Sequence, residues 1–111
     1  MIKSPSYPSA SLGEAIADVA KIEGVYRRSA ADREQAAKLI GYSGLSGPAS
    51  KALAALASYG LVETSGRGML KVTPLAVRIL YPKNDEERAV AIKEAARTPP
   101  LYREIWKQFP D

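Results

Sequence analysis

Cationic side chains in the middle of the chain are the clearest candidates for binding a partner. Between residues 24 and 83 the sequence holds nine basic and three acidic residues, in a chain of 111 residues with a net charge of +4. Such a positive centre indicates an anionic partner, although the same charges could serve only to keep the surface solvated. The nine basic residues are Arg27, Arg28, Arg33, Lys38, Lys51, Arg67, Lys71, Arg78 and Lys83.

The chain lacks the side chains on which most catalytic and metal sites depend. It contains no cysteine and no histidine, so thiolates, disulfides, the commonest general base and two common metal ligands are absent. The consecutive acids Asp85, Glu86 and Glu87 suit the positive end of a helix dipole better than a metal site. Gly66-Arg67-Gly68 lacks the remaining glycine of a dinucleotide-binding motif. We therefore expect no enzymatic activity, no metal and no cofactor.

Length and hydropathy favour one domain in the cytoplasm. The hydrophobic content of 46% is ordinary for a globular protein, and 111 residues suit a single core. No apolar run approaches the roughly 20 residues of a membrane span, and the N-terminus lacks a signal-peptide core. The absence of cysteine is consistent with a reducing compartment. These features predict a cytoplasmic protein with no membrane contact.

A helix followed directly by a β-hairpin is predicted between residues 45 and 72. Ser46 is a candidate N-cap, and Gly60 can adopt the left-handed conformation that ends a helix. Leu61–Thr64 and Met69–Thr73 are β-compatible runs on either side of a Ser-Gly-Arg-Gly turn. The apolar face of this helix is expected to consist of Ala49, Ala52, Leu53, Leu56 and Gly60.

Capping sequences predict the flanking helices. Ser11-Leu12-Gly13-Glu14 and Asp32-Arg33-Glu34-Gln35 fit the capping-box pattern, and Gly41 should end the second helix. Thr73-Pro74 and Asn84 should begin the fourth and fifth helices.

Apolar spacing predicts which residues face the core. In the first helix Val19 and Ile22 should point inward, whereas Glu23 should face water. Leu45 is expected to plug the turn before the third helix, and Val90 should face inward from the fifth. A sixth helix after Thr98-Pro99-Pro100 carries an apolar stripe, which should pack on the first helix or on a symmetric partner rather than stack on bases. This stripe contains Leu101, Tyr102, Ile105, Trp106 and Phe109.

The order of helix, helix, turn, helix and hairpin resembles the winged helix-turn-helix superfamily, which includes many bacterial transcription regulators and small families without assigned function. The resembling segments are Asp32-Arg33-Glu34-Gln35-Ala36-Ala37, Gly41-Tyr42-Ser43, Tyr59-Gly60-Leu61-Val62-Glu63 and Leu70-Lys71-Val72-Thr73-Pro74-Leu75-Ala76. The implied fold is mainly α with a small β-hairpin wing. Residues 11–80 would form the winged helix-turn-helix, after an extended arm over residues 1–10. Residues 81–111 would add C-terminal helices that pack on the core or form a dimer contact.

In that superfamily the third helix usually enters the major groove of DNA, and the wing contacts the backbone or minor groove. The resemblance therefore implies a transcription regulator or a phage or plasmid accessory protein that binds double-stranded DNA, and it also suggests a homodimer through the C-terminal helices. The third helix carries one cation and no Arg, Asn or Gln for bidentate base readout, so phosphate contacts should dominate. The expected DNA-binding residues are Arg67, Lys51, Lys71, Ser50, Ser46, Arg27, Arg28 and Arg33.

Each of these assignments has a simpler alternative. Arg67 could be an ordinary exposed loop arginine, and Lys51 and Ser50 could serve only solubility. The Ala- and Ser-rich third helix would also suit close packing against another protein. The alternative function is accordingly a winged-helix protein-interaction or assembly module that binds no nucleic acid.

Overall fold

The computed structural model describes residues 10–99, which form five helices and a small antiparallel sheet. The predicted N-terminal arm, apart from Ala10, and the predicted sixth helix fall on residues outside this range. In chain order the elements are α1 (Leu12–Tyr26), β1 (Ala31–Asp32), α2 (Arg33–Leu39), α3 (Gly47–Ser58), β2 (Val62–Thr64), β3 (Met69–Val72), α4 (Pro74–Leu80) and α5 (Asp85–Ala96).

The predicted helix starts are confirmed by their caps. Ser11 and Glu14 form a full capping box, in which each side chain accepts a hydrogen bond from the backbone N–H of the other. The hydrogen bonds from the Ser11 backbone and side chain lower the pKa of the Glu14 carboxyl. Asp32 accepts from the N–H groups of Glu34 and Gln35. The remaining N-caps are Ser46, Thr73 and Asn84.

The sheet has three strands rather than the two of the predicted hairpin. Strand β1 pairs antiparallel with β3, giving the order β1-β3-β2, with Ala31 opposite Leu70 and Asp32 opposite Met69. The sequence prediction missed β1, since alanine and aspartate have low strand propensity and two residues show no alternation. Antiparallel pairing with β3 makes this short segment a strand, in which Ala31 is completely buried.

The core lies between α3 and the surrounding helices, and alanine makes up ten of its twenty-one buried apolar residues in the described part of the chain. Alanine lets helices approach closely but buries little area per residue. The largest fully buried side chains therefore carry much of the apolar burial. These are Ile22, Leu56, Leu61, Ile79, Val19 and Val72.

Three predictions about which side chains face the core and which face the solvent are wrong. Glu23 is only 6% exposed, because its carboxylate accepts a 2.7 Å hydrogen bond from the Tyr81 hydroxyl and lies 3.7 Å from Arg27. Leu45 is 44% exposed in the turn before α3. Val90 is 56% exposed, since α5 packs through its alanine face, which is rotated away from Val90.

Candidate nucleic-acid interface

The tip of the β2–β3 hairpin presents Arg67 between two glycines. Gly66 and Gly68 have φ values of 80° and 71°, a region that glycine adopts readily and most other residues avoid. The Ser65 N–H closes the turn by donating to the Met69 carbonyl at 3.0 Å. A Cβ atom at either glycine would meet nothing within 4 Å. Arg67 is exposed and therefore projects from a narrow tip with open space on both sides.

A groove of about 260 Å³ runs between α3 and this hairpin. Its floor includes the buried side chains of Leu53, Val62 and Leu70. Ala54 and Ala57 line it from the exposed side of α3. The small alanine side chains keep the groove open, so an extended group can approach both the helix and the hairpin.

Arg33 is brought to the same groove by the strand that sequence reasoning missed. Its backbone N–H donates to the Gly68 carbonyl at 3.1 Å, directly after β1 pairs with β3. Arg33 lines the groove together with Gly68, the residue after Arg67. The first residue of α2 is thus bonded to the hairpin tip, at the residue that follows Arg67.

Charges on the hairpin are mixed. Lys71 is half-buried and lies directly opposite Glu63 in the β2–β3 register, where opposite charges attract. Glu63 also lines the groove. Within residues 10–99, no carboxylate oxygen lies within 4.0 Å of a side-chain nitrogen of Arg33, Arg67 or Lys71.

The exposed side of α3 holds three further residues predicted to bind DNA. Lys51 is exposed, Ser50 is half-buried, and the exposed Ser46 uses its hydroxyl oxygen as an acceptor for the Ala49 N–H at 3.3 Å. The Ser46 hydroxyl hydrogen is not used in that bond, so the same group can cap the helix and still donate to an anion.

Replacing Ser46 with alanine should lower the free energy of unfolding by about 1 kcal/mol, because the first turn of α3 loses its side-chain acceptor. Urea denaturation measures this. Ser43→Ala is a suitable control, since Ser43 is exposed in the preceding turn and caps none of the helices of residues 10–99. Equal stability of the two variants would show that the cap contributes nothing.

Arg27 and Arg28 lie at the end of α1 and differ in their surroundings. The Arg27 side chain is 69% exposed, but its guanidinium faces the Glu23 carboxylate at 3.7 Å, which gives it a structural role. Arg28 is exposed. Two other central cations also pair with acids of this chain, Lys38 with Glu34 and Arg78 with Glu94. Of the predicted arginines, Arg33 therefore lines the groove, Arg67 lies at the hairpin tip, and Arg27 is paired with Glu23.

Sequence reasoning missed the groove residues Ala57, Thr64 and Met69. Ala57 follows Ala54 by three residues, so helical periodicity could have placed both on the same exposed side. Thr64 and Met69 flank the turn, but their contribution depends on how the hairpin sits against α3. That arrangement is not encoded in local spacing.

The described residues contain neither a cluster of metal-binding side chains nor a membrane-spanning helix. No group of three or more Asp or Glu side chains in residues 10–99 could hold a metal ion. None of the helices in that range is long and apolar enough to cross a membrane. Comparisons with protein-family profiles, curated proteins and solved structures give no significant match.

Proposed function

We propose that this protein is a winged-helix DNA-binding protein, acting as a transcription regulator or a phage or plasmid accessory protein. The observation that carries the proposal is the exposed Arg67, held between two left-handed glycines at a hairpin tip whose Gly68 carbonyl accepts a hydrogen bond from the Arg33 N–H. The hairpin would be the wing and α3 the groove-entering helix. An arginine on a narrow tip can clamp a phosphate or enter a minor groove.

Phosphate contact should dominate over base readout. The candidate residues of α3 and its N-cap are Ser46, Ser50, Lys51, Ala54 and Ala57, which include no Arg, Asn or Gln for bidentate readout of guanine or adenine. If three to five phosphates are neutralised, log affinity should fall against log salt with a slope of about −3 to −5 per protomer. Fluorescence anisotropy with a mixed-sequence duplex measures this slope, and a flat salt dependence counts against the proposal.

Arg67→Ala should weaken binding to all duplex sequences by about tenfold and reduce the salt slope by about one. The loss is uniform because the lost contact is with the phosphate backbone. Arg88→Ala is the matched control, as it removes the same charge from an exposed position on α5 and should leave affinity nearly unchanged. Equal effects of the two substitutions would mean that only net charge matters and that the hairpin tip has no special role.

A protein-interaction module is the second candidate function. Two features favour it: the apolar floor of the groove and the Glu63 carboxylate on its lining, which repels a polyanion. A gel shift with mixed-sequence duplex at low salt, paired with light scattering, separates the two functions. Absence of a shift together with association of the protein would favour the interaction module.

A further inference from the structure

The outer side of α5 carries a groove that no described element covers. It has a volume of about 480 Å³ and includes Val90, which is 56% exposed. The opposite side of the helix is buried on α4 through Ala91 and Ala95. The groove is lined by Val90, Lys93, Glu94, Arg97 and Thr98.

The composition of this groove suits aromatic side chains. Val90 supplies an apolar side chain, and Lys93 and Arg97 can add their aliphatic stems while their cationic groups stay in water. Glu94 is held by Arg78 of α4, whose Nη1 lies 3.1 Å from its carboxylate. An aromatic ring over Val90 would therefore gain apolar contact together with cation–π attraction to Lys93 or Arg97.

The chain leaves its described part at the end of this same groove. The Thr98 hydroxyl donates to the Glu94 carbonyl at 2.8 Å, and Pro99 is buried, so the exit point is fixed beside α5. Trp106 follows Pro99 by only seven positions, and an extended chain of that length reaches about 23 Å. The twelve-residue α5 is about 18 Å long, so residues after Pro99 can reach all of the groove.

We propose that the C-terminal segment of the same chain, residues 101–111, occupies the α5 groove. This segment contains the only tryptophan and the only phenylalanine of the protein, Trp106 and Phe109, together with Tyr102. Their aromatic side chains cover Val90 and lie against the stems of Lys93 and Arg97. The short connection through Pro99 keeps the segment at a high effective concentration near the groove, which favours this intramolecular contact over a separate partner.

Trp106 provides a direct test because it is the only tryptophan in the chain. In the full-length protein its emission should be blue-shifted and poorly quenched by acrylamide. Val90→Asp should shift the emission to the red and raise the quenching constant about twofold or more, because a charge then faces the aromatic rings. Ala89→Asp is the matched control, since it adds the same charge at the neighbouring exposed position and should leave both properties unchanged. Far-UV circular dichroism verifies that each variant is folded.

Three results would overturn the proposal. Full exposure of Trp106 in the unmodified protein would show that the segment is undocked. Protection that survives Val90→Asp would place the segment on another surface. Protection that disappears when the protein is diluted about a hundredfold would assign the groove to a second copy of the chain.

Discussion

Leu56→Ala should lower the free energy of unfolding by about 3 kcal/mol, one of the largest effects expected from a single substitution in this protein. Leu56 is completely buried on α3, the helix that packs against α1, α2 and β2. Truncation removes apolar contacts and leaves a cavity. Because the neighbouring core is rich in alanine, few large side chains are available to move into that space. Urea denaturation monitored by circular dichroism measures the change.

Leu45→Ala supplies the matched control for this substitution. The chemical change is the same, but Leu45 is 44% exposed in the turn before α3 and contributes much less buried area. Its effect should stay below about 1 kcal/mol. Two similarly large losses would show that Leu45 packs as the plug that the sequence suggested, and two similarly small losses would show that the core does not depend on Leu56.

Helix and turn boundaries were predictable because their signals are local. A side-chain acceptor such as Ser11 or Asp32 bonds to backbone groups two or three residues away, so its partner is written in the adjacent sequence. Gly60 likewise ends α3 through bonds within six residues. The exposed Arg67 follows from the same logic, since glycines on both sides specify a tight turn tip.

The features that were missed depend on contacts between distant segments. Strand β1 exists because Ala31 meets Leu70, thirty-nine positions later in the chain. Glu23 is buried because Tyr81 donates to it from the end of α4, fifty-eight residues away. A sequence pattern predicts that a glutamate is exposed to water. It does not predict that a tyrosine hydroxyl and an arginine replace that water as partners of the carboxylate.

In the candidate interface, too, local features were predictable from the sequence and contacts between distant segments were not. Local sequence places Arg67 at a tip and Lys51 on a helix, but it does not place Arg33 against the hairpin. Arg33 reaches the groove through the β1–β3 pairing and its own bond to the Gly68 carbonyl. Arg27, which local sequence places equally near α2, is directed instead at Glu23.

Gly60→Ala should destabilise the protein by about 2 kcal/mol or more, through a strained backbone and a crowded side chain. Gly60 has φ 78° and forms a Schellman motif, in which its own N–H bonds to Ala57 and the Leu61 N–H bonds to Leu56. Its carbonyl also accepts from the Thr73 hydroxyl at 2.6 Å. A Cβ atom at this position would lie 3.3 Å from the Thr98 methyl carbon and 3.4 Å from Leu75 Cδ2.

Alanine substitutions at two other glycines distinguish the cost of backbone strain from the cost of side-chain crowding. Gly66→Ala creates almost the same strain, at φ 80°, but its Cβ would meet nothing within 4 Å, so its cost should be about 1–2 kcal/mol. Gly24→Ala places alanine in the open interior of α1 without positive φ and should stabilise the protein by about 0.5–1 kcal/mol. Thermal and urea unfolding of the three variants give the comparison.

A double substitution identifies the source of any crowding at Gly60. Thr98→Ser removes the methyl carbon nearest to the new Cβ but keeps the hydroxyl that bonds to the Glu94 carbonyl. In the Gly60→Ala background Thr98→Ser should therefore restore the extra stability that Gly60→Ala loses compared with Gly66→Ala. On its own, Thr98→Ser should change the free energy of unfolding little. Equal costs for the two alanine substitutions would show that Thr98 moves aside, leaving strain as the whole effect.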